Sequence, residues 1–417
     1  MTGPQVGSAI RFGDQVFQWD EAAAARTGRP VLVTQVGRSF QQQHPDVPVL
    51  LDHGRHLVVA LPDLELPHVQ LTDLEQGTAE AEAVPVHPDW RVDPMPEGGT
   101  VVVHRPEAAA RAIDPVTAEL LDALSRESFE GTLGFLAGLP TRHSLSAGFR
   151  EAADHMAALL TDRGYAVSRP AITVGSGSSS NVIGDLAGSG EGPRGVVLIT
   201  AHLDSINLPG GPSAPAPGAD DNGSGSAGVP EMARVLSGRP WRHDLRVILF
   251  GGEEEGLHGS RQYVRGLPGA ERARIRAVLN LDMVGSLNTA APTVLLEGAP
   301  RSAALINDLA TAAATATGLT VETSLNPFAS DHVPFLDAGI PAVLTIEGAD
   351  SANGNIHSAN DTLDTVDPAL AMEILRMDVA ALVGWLEPVD AAPRPAGSVV
   401  SWGPGRLDVF GIGAGSG

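Results

Sequence analysis

The 417-residue chain contains no cysteine and no lysine, so all 27 of its basic residues are arginine. Without cysteine there is no disulfide framework, thiol nucleophile, iron–sulfur cluster or cysteine-type zinc finger. Without lysine there is no pyridoxal Schiff base and no phosphate-cradling P-loop. The arginine-only set, beside abundant alanine, glycine and proline, is a compositional bias with no mechanism attached. Aromatic residues make up 4% of the chain and include only two tyrosines, Tyr165 and Tyr263. Positive charge is also short: 27 basic against 50 acidic residues give a net charge of −23. Such a surface repels phosphate backbones and anionic membranes, so no nucleic acid is expected as a partner. No apolar run reaches the ~18 residues that a membrane-spanning helix requires, and no membrane partner is expected. The opening Met1-Thr2-Gly3-Pro4 carries neither the charged nor the apolar region of a secretory leader. The expectation is a cytoplasmic protein, or a secreted one whose leader is not in this sequence.

Hydrophobic residues account for 43% of the chain, and its length suggests about two to three domains. Residues 1–100 contain β-rich pieces, Pro30–Thr34 and His56–Leu61. From about 76 the composition turns Ala/Glu-rich and then Pro-rich, with Pro85, Pro88, Pro94 and Pro96, which reads as an extended linker closing an accessory or propeptide-like region. A second domain is expected over 115–388. Asp114-Pro115 starts a helical pattern, and Phe149, Ala152, Ala153, Met156, Leu159 and Leu160 have amphipathic helical spacing ended by Gly164. Apolar runs follow at 195–200, 245–250, 277–281 and 341–346, with helices expected near 226–237, 301–317 and 367–386. Strands apolar on both faces lie between helix layers. The fold class is therefore α/β, a mixed, largely parallel central sheet flanked by helices, with a small β-rich N-terminal domain. Residues 389–417 read as a linker and tail.

Open α/β sheets bind ligands in the crevice beyond the carboxyl ends of their strands, and this sequence puts acids and histidines there. His202-Leu203-Asp204 follows the first run, Glu253-Glu254-Glu255 the second, and Asp282 the third, while a loop leads from the fourth to His357. Between the first two lies the Gly-rich turn Gly218-Ala219-Asp220-Asp221-Asn222-Gly223. Clustered carboxylates repel one another, and burying them is costly unless a cation neutralises them. Mixed nitrogen and oxygen donors without sulfur suit Zn²⁺, with Mn²⁺ or Co²⁺ as substitutes.

The segments His202-Leu203-Asp204, Asp220–Gly225, Glu253–Ser260, Asn280–Gly285, Ser330-Asp331-His332 and His357–Thr362 occur in the order found in the M28 dinuclear zinc peptidases, which residues 115–388 resemble. The resemblance implies two zinc ions, one held by His202, Asp221 and Asp282 and the other by Asp221, Glu254 and His357, with Asp221 bridging. Two metals ~3.5–4 Å apart lower the pKa of a bound water and polarise the scissile carbonyl. Glu253 is the candidate general base. Asp204 is placed to accept the other N–H of His202, and either Asp331 or Asp361 that of His357. Glu255 reads as a solvated carboxylate, and His258 and His332 as pocket walls. Some relatives carry a tyrosine before the last histidine and a basic residue before Ser-Asp-His; here these positions are Ile356 and Ala329, which leaves the oxyanion donor unassigned.

The expected activity is hydrolysis of peptides or proteins from the N-terminus. The alternatives are a carboxypeptidase of the same family, a fold-mate that cyclises N-terminal glutamine, and a receptor- or adhesin-like binding protein. The tail segment Ser401–Phe410 resembles the start of a lectin-like β-propeller repeat, which would imply glycan binding by a C-terminal module. Family resemblance also favours secretion.

Overall fold

The computed structural model describes residues 8–12, 15–19, 29–61, 90–95, 100–104, 110–389, 398–400 and 408–410. Its strands, in chain order, are β1 Ser8–Phe12, β2 Gln15–Trp19, β3 Arg29–Gln35, β4 Val49–His53, β5 His56–Leu61, β6 Trp90–Pro94 and β7 Thr100–His104 in the N-terminal region. There follow β8 Ala166–Ser168, β9 Ala171–Val174, β10 Gly177–Ser180, β11 Val182–Leu186, β12 Val196–His202, β13 Asp244–Phe250, β14 Ile275–Leu281, β15 Thr293–Gly298, β16 Thr320–Ser324 and β17 Ala342–Glu347. The short pair β18 Ser398–Val400 and β19 Asp408–Phe410 closes the list.

The central sheet runs β16-β15-β17-β14-β12-β13-β11-β8 and is extended past β16 by β7, β1 and β2. Its middle four strands, β17, β14, β12 and β13, are all parallel, whereas β11, β8 and the β15–β17 contact are antiparallel. This is the expected mixed sheet. The parallel strands are continuous apolar runs because helices cover both faces; every residue of β12 is buried. The helices Gly225–Leu236, Ala303–Ala316 and Pro368–Leu386 fall where the spacing placed them.

Capping chemistry sets the helix starts. Asp114 accepts the Thr117 amide at 3.0 Å and Ser146 the Phe149 amide at 3.0 Å, each satisfying a donor that the first turn leaves free. The Ser146-capped helix Ala147–Asp162 buries Phe149, Ala152, Ala153, Met156 and Leu160 against the sheet. Each large apolar side chain fully removed from water contributes ~1.5–3 kcal/mol, so a charge at Met156 would break this face. Leu159 lies at its margin, half-buried.

In the N-terminal region β4-β5-β3-β6 form an antiparallel sheet of their own, with a small core of Val33, Phe40, Leu57 and Val59. Trp90–Pro94, within the stretch read as a linker, is strand β6 of this sheet. Residues 76–89 of that stretch and 401–407 of the lectin-like segment lie outside the described residues.

Candidate metal centre

Because β12, β13, β14 and β17 are parallel, their carboxyl ends meet at one edge of the sheet. His202 is the last residue of β12, Glu253 and Glu254 follow β13 by a short turn, and Asp282 directly follows β14. Asp221 sits in an irregular turn, Ala219–Ser224, that leads into the helix Gly225–Leu236. The turn carrying the acidic triplet needs Gly252: its φ is +71°, and a Cβ there would stand 2.8 Å from a Val174 methyl.

These side chains converge. His202 Nε2 lies 3.3 Å from Asp221 Oδ1, 3.2 Å from Asp282 Oδ1 and 3.9 Å from Glu253 Oε2. His357 Nε2 lies 3.1 Å from Asp221 Oδ2 and 3.1 Å from Glu254 Oε2. Asp221 therefore turns one carboxylate oxygen to each imidazole. All five candidate ligands and Glu253 line one pocket, together with Met283, Leu344 and Ile346.

The electrostatics are those of a site short of positive charge. Burial alone would lower both imidazole pKa values, but the facing carboxylates raise both well above the usual range: chiefly Asp282 and Glu253 for His202, and chiefly Glu254 and Asp221 for His357. Burial pushes Glu254 up to about 7, with Asp221 adding to the effect, and it raises Glu253 well above a normal carboxylate against the pull of His202. Asp221 goes down despite burial because both imidazoles bond to it. Glu254 Oε1 and Asp204 Oδ1 are buried without a partner. Unpartnered buried carboxylate oxygens beside raised imidazoles are what a cation would satisfy, and the donor set of imidazole nitrogen and carboxylate oxygen fits a divalent transition metal.

The supporting residues act differently from one another. Asp204 presents its backbone carbonyl to His202 Nδ1 at 3.2 Å, with the carboxylate at 3.7 Å, while its Oδ2 accepts the Glu254 amide at 3.0 Å. It thus ties two ligand-bearing turns together. Asp361 accepts the amides of Asp220 and Asp221, each at 2.9 Å, and so holds the Asp221 turn. Asp331 is buried with both oxygens unbonded, and burial, opposed by His202, lifts it to about 7. Its neighbour Ser330 donates to Asp282 Oδ2 at 2.6 Å and accepts from Asn280 at 2.9 Å. Asn222, next to Asp221, donates to the Leu281 carbonyl and accepts the Gly225 amide, each at 2.9 Å.

Glu255 is not a solvated carboxylate: only 15% of its side chain is exposed, and it meets the Ser144 hydroxyl at 2.9 Å and His143 at 3.2 Å. Burial and Asp204 push it up to about 9. His332 is buried with Nε2 3.4 Å from Glu297 and lies outside the ligand cluster. Both tyrosines lie elsewhere: Tyr165 donates to the Ala233 carbonyl and Tyr263 meets Arg246.

Three residues of the site carried no signal in the sequence. Arg142, wholly buried, donates to the carbonyls of Leu203 and Gly218 at 2.8 Å and to that of Pro217, and so clamps both ends of the loop between His202 and Asp221. Arg55 and Val36, from the N-terminal sheet, line the pocket itself. Each acts through a fold contact far along the chain, and no local spacing announces that.

Residues 181–382 match the family model described as Peptidase family M28. The chain is similar to leupeptin-inactivating enzyme 1 of Streptomyces exfoliatus, with 32% identity over 251 residues that cover 59% of this chain and 53% of that protein. It is likewise similar to aminopeptidase YwaD of Bacillus subtilis, with 36% identity over 171 residues covering 41% of this chain and 36% of that one. The chain thus spans about half, or less, of the length of these curated relatives. In structure it resembles the LapA aminopeptidase of Legionella pneumophila, with a TM-score of 0.59 at 18% identity over 87% of this chain and 100% of the other, a likeness of fold. The match to peptidase family M28 lies over the part of the chain that holds all five candidate ligands.

Proposed function

We propose that this protein is a zinc-dependent aminopeptidase. The observation that carries the reading is Asp221, whose two oxygens face His202 and His357 at 3.3 and 3.1 Å, the arrangement a carboxylate bridging two metals requires. His202, Asp221 and Asp282 would hold one zinc, and Asp221, Glu254 and His357 the other. Mn²⁺ or Co²⁺ would suit the same donors. When bound, the pair supplies Lewis acidity to the scissile carbonyl and makes water nucleophilic at neutral pH.

The chain's own part is proton handling and positioning. Glu253 takes the proton from the attacking water as the C–O bond forms, then delivers it to the leaving amine as the C–N bond breaks. Asp204, Asp361, Ser330 and Arg142 keep the ligand-bearing turns in register, as supporting groups of metal sites do.

The pocket favours a free N-terminus over a C-terminal carboxylate. Its one lining guanidinium is that of Arg55, and four of the five guanidinium N–H groups are taken by Glu297, Asp350 and the Phe328 carbonyl. With its donors so engaged Arg55 offers little to a substrate carboxylate, and the intact ligand set argues against a binding-only relative. The test is mass spectrometry of the products from a free peptide and its N-acetylated twin, each with and without a zinc chelator. Stepwise loss of N-terminal residues that both acetylation and chelation abolish supports the proposal. Trimming from the other end of both peptides overturns it in favour of a carboxypeptidase, and no cleavage with zinc bound overturns it in favour of a binding protein.

A further inference from the structure

The pocket at the metal centre is not built by the peptidase-family region alone. Val36, just beyond the end of β3, and Arg55, at the β4–β5 turn, both line it. They are held there by an interface of unusual closeness. Gly37, with φ +53°, lies so near Ile356 that a Cβ would stand 2.8 Å from its Cδ1, and Ile356 precedes His357 and packs against Met283, Leu344 and Ile346. Arg55 is 3% exposed and engages Glu297 through Nε and Nη2, both at 3.2 Å, and Asp350 through Nη1 at 3.1 Å. Thr34 accepts from Asn326 at 3.0 Å, and the Arg91 guanidinium stands 5.1 Å over the Phe328 ring. The N-terminal sheet is thus anchored at several points on the loops beside His357.

The pocket is partly open to solvent, and the candidate metal ligands themselves line it. The apolar part of its wall consists of Met283, Ala329, Leu344 and Ile346 from the family domain and Val36 from the N-terminal sheet.

We propose that the N-terminal sheet completes the substrate pocket, with Val36 as an apolar wall that discriminates among N-terminal side chains by size, and Arg55 as the positioning residue that holds that wall. The inference rests on the aminopeptidase reading. It concerns the side of the pocket that faces the substrate's side chain and leaves the metal ligands as described. Arg55 acts through the sheet, not on substrate, because its donors are already engaged.

The test compares the zinc-loaded full chain with its Val36→Ala variant on the p-nitroanilides of glycine, alanine, leucine and phenylalanine, and by calorimetry with the matching amino-acid hydroxamates. Val36→Ala is expected to raise the phenylalanine-to-alanine ratio of kcat/KM about tenfold or more. The triple variant Arg55→Met/Glu297→Gln/Asp350→Asn, which leaves no uncompensated carboxylate at that contact, is expected to move the ratio the same way; general structural damage would lower both substrates together. A ratio that Val36→Ala leaves unmoved overturns the inference while the peptidase reading stands. Hydroxamates ranked by size, with a ranking that Val36→Ala levels, support it even if no anilide is cleaved, the result that would overturn the peptidase reading instead.

Discussion

Two buried clusters of carboxylates stand side by side in this protein and are neutralised in different ways. At the metal centre, Asp221, Glu253, Glu254 and Asp282 face only two imidazoles, and buried oxygens are left without partners. Beside it, Glu297 and Asp350, also buried, face the guanidinium of Arg55. Burial alone would raise Glu297, yet Arg55 brings it down to about 2. One guanidinium does not serve both acids equally: burial lifts Asp350 to about 6, with Glu297 adding to the rise and Arg55 opposing it. The chain neutralises one cluster with its own cation; on the proposed reading the other is left to a metal. A site that must bind an exchangeable ligand keeps its charge deficit, and a site that only joins two parts of the fold does not.

The largest effects are expected at the deficit site. Glu253→Gln should lower turnover by about 10²- to 10⁴-fold with zinc content unchanged by metal analysis; unchanged turnover would remove Glu253 as the base. His202→Ala and His357→Ala should instead lose bound zinc, and full occupancy in either would overturn that ligand assignment.

At the self-neutralised cluster the effect falls on stability. Arg55→Ala strands two buried carboxylates and should cost about 3–5 kcal/mol in denaturant unfolding. Replacing Arg55 by methionine together with Glu297→Gln and Asp350→Asn should cost much less, and equal losses would mean the ion pairing is not the cause. A chelator should lower the melting temperature of the wild type through the metal centre and leave the Arg55→Ala difference as it was.

A pH series sharpens the contrast further. Glu297 has a folded pKa below its ordinary 4.5, so its contribution is complete above about pH 4.5 and is lost as the pH falls toward 2. The gap between wild type and Arg55→Met should therefore narrow over that window. Asp350 works in the opposite sense, weakening the fold as pH rises from its ordinary value toward 6. A gap that stays constant down to pH 2 would separate Arg55 from the titration of Glu297.

The smallest effect tests a third solution, a proton. Asp378 is buried within the helix Pro368–Leu386 with one oxygen unpartnered, and burial raises its carboxyl well above the usual range, with Thr345 as its only opposing bond. A folded pKa above the unfolded one means that stability declines as pH rises past the ordinary carboxylate range. Asp378→Asn should then raise the melting temperature at pH 8 by about 2 °C and change it little at pH 4; equal shifts at both would remove the proton as the cause.

The composition, the α/β class, the helix at 147–162 and the strand-end acids were legible because each is a local pattern. Periodicity reports which face of a helix is buried, and a ligand placed at the end of a parallel strand needs only its own strand to reach the crevice. His202, Glu253, Glu254 and Asp282 belong to that kind, whereas Asp221, in the turn before a helix, and His357, on the loop after β17, are brought in by loops. The roles of Asp204 and Asp361 were only half legible: a carboxylate two residues from a histidine looks like its partner, but the turns bring backbone amides closer. Arg55 bonds to a residue 242 positions away, and Arg142 clamps a loop whose other end lies 76 positions on. No spacing rule reaches that far. By itself the sequence determined which donor side chains stand at the strand ends, through local hydrophobic patterning. Only the tertiary structure decided what closes the pocket around them, because that depends on how two separately patterned sheets dock, and docking is settled by shape and by buried charge pairs that have no signature along the chain.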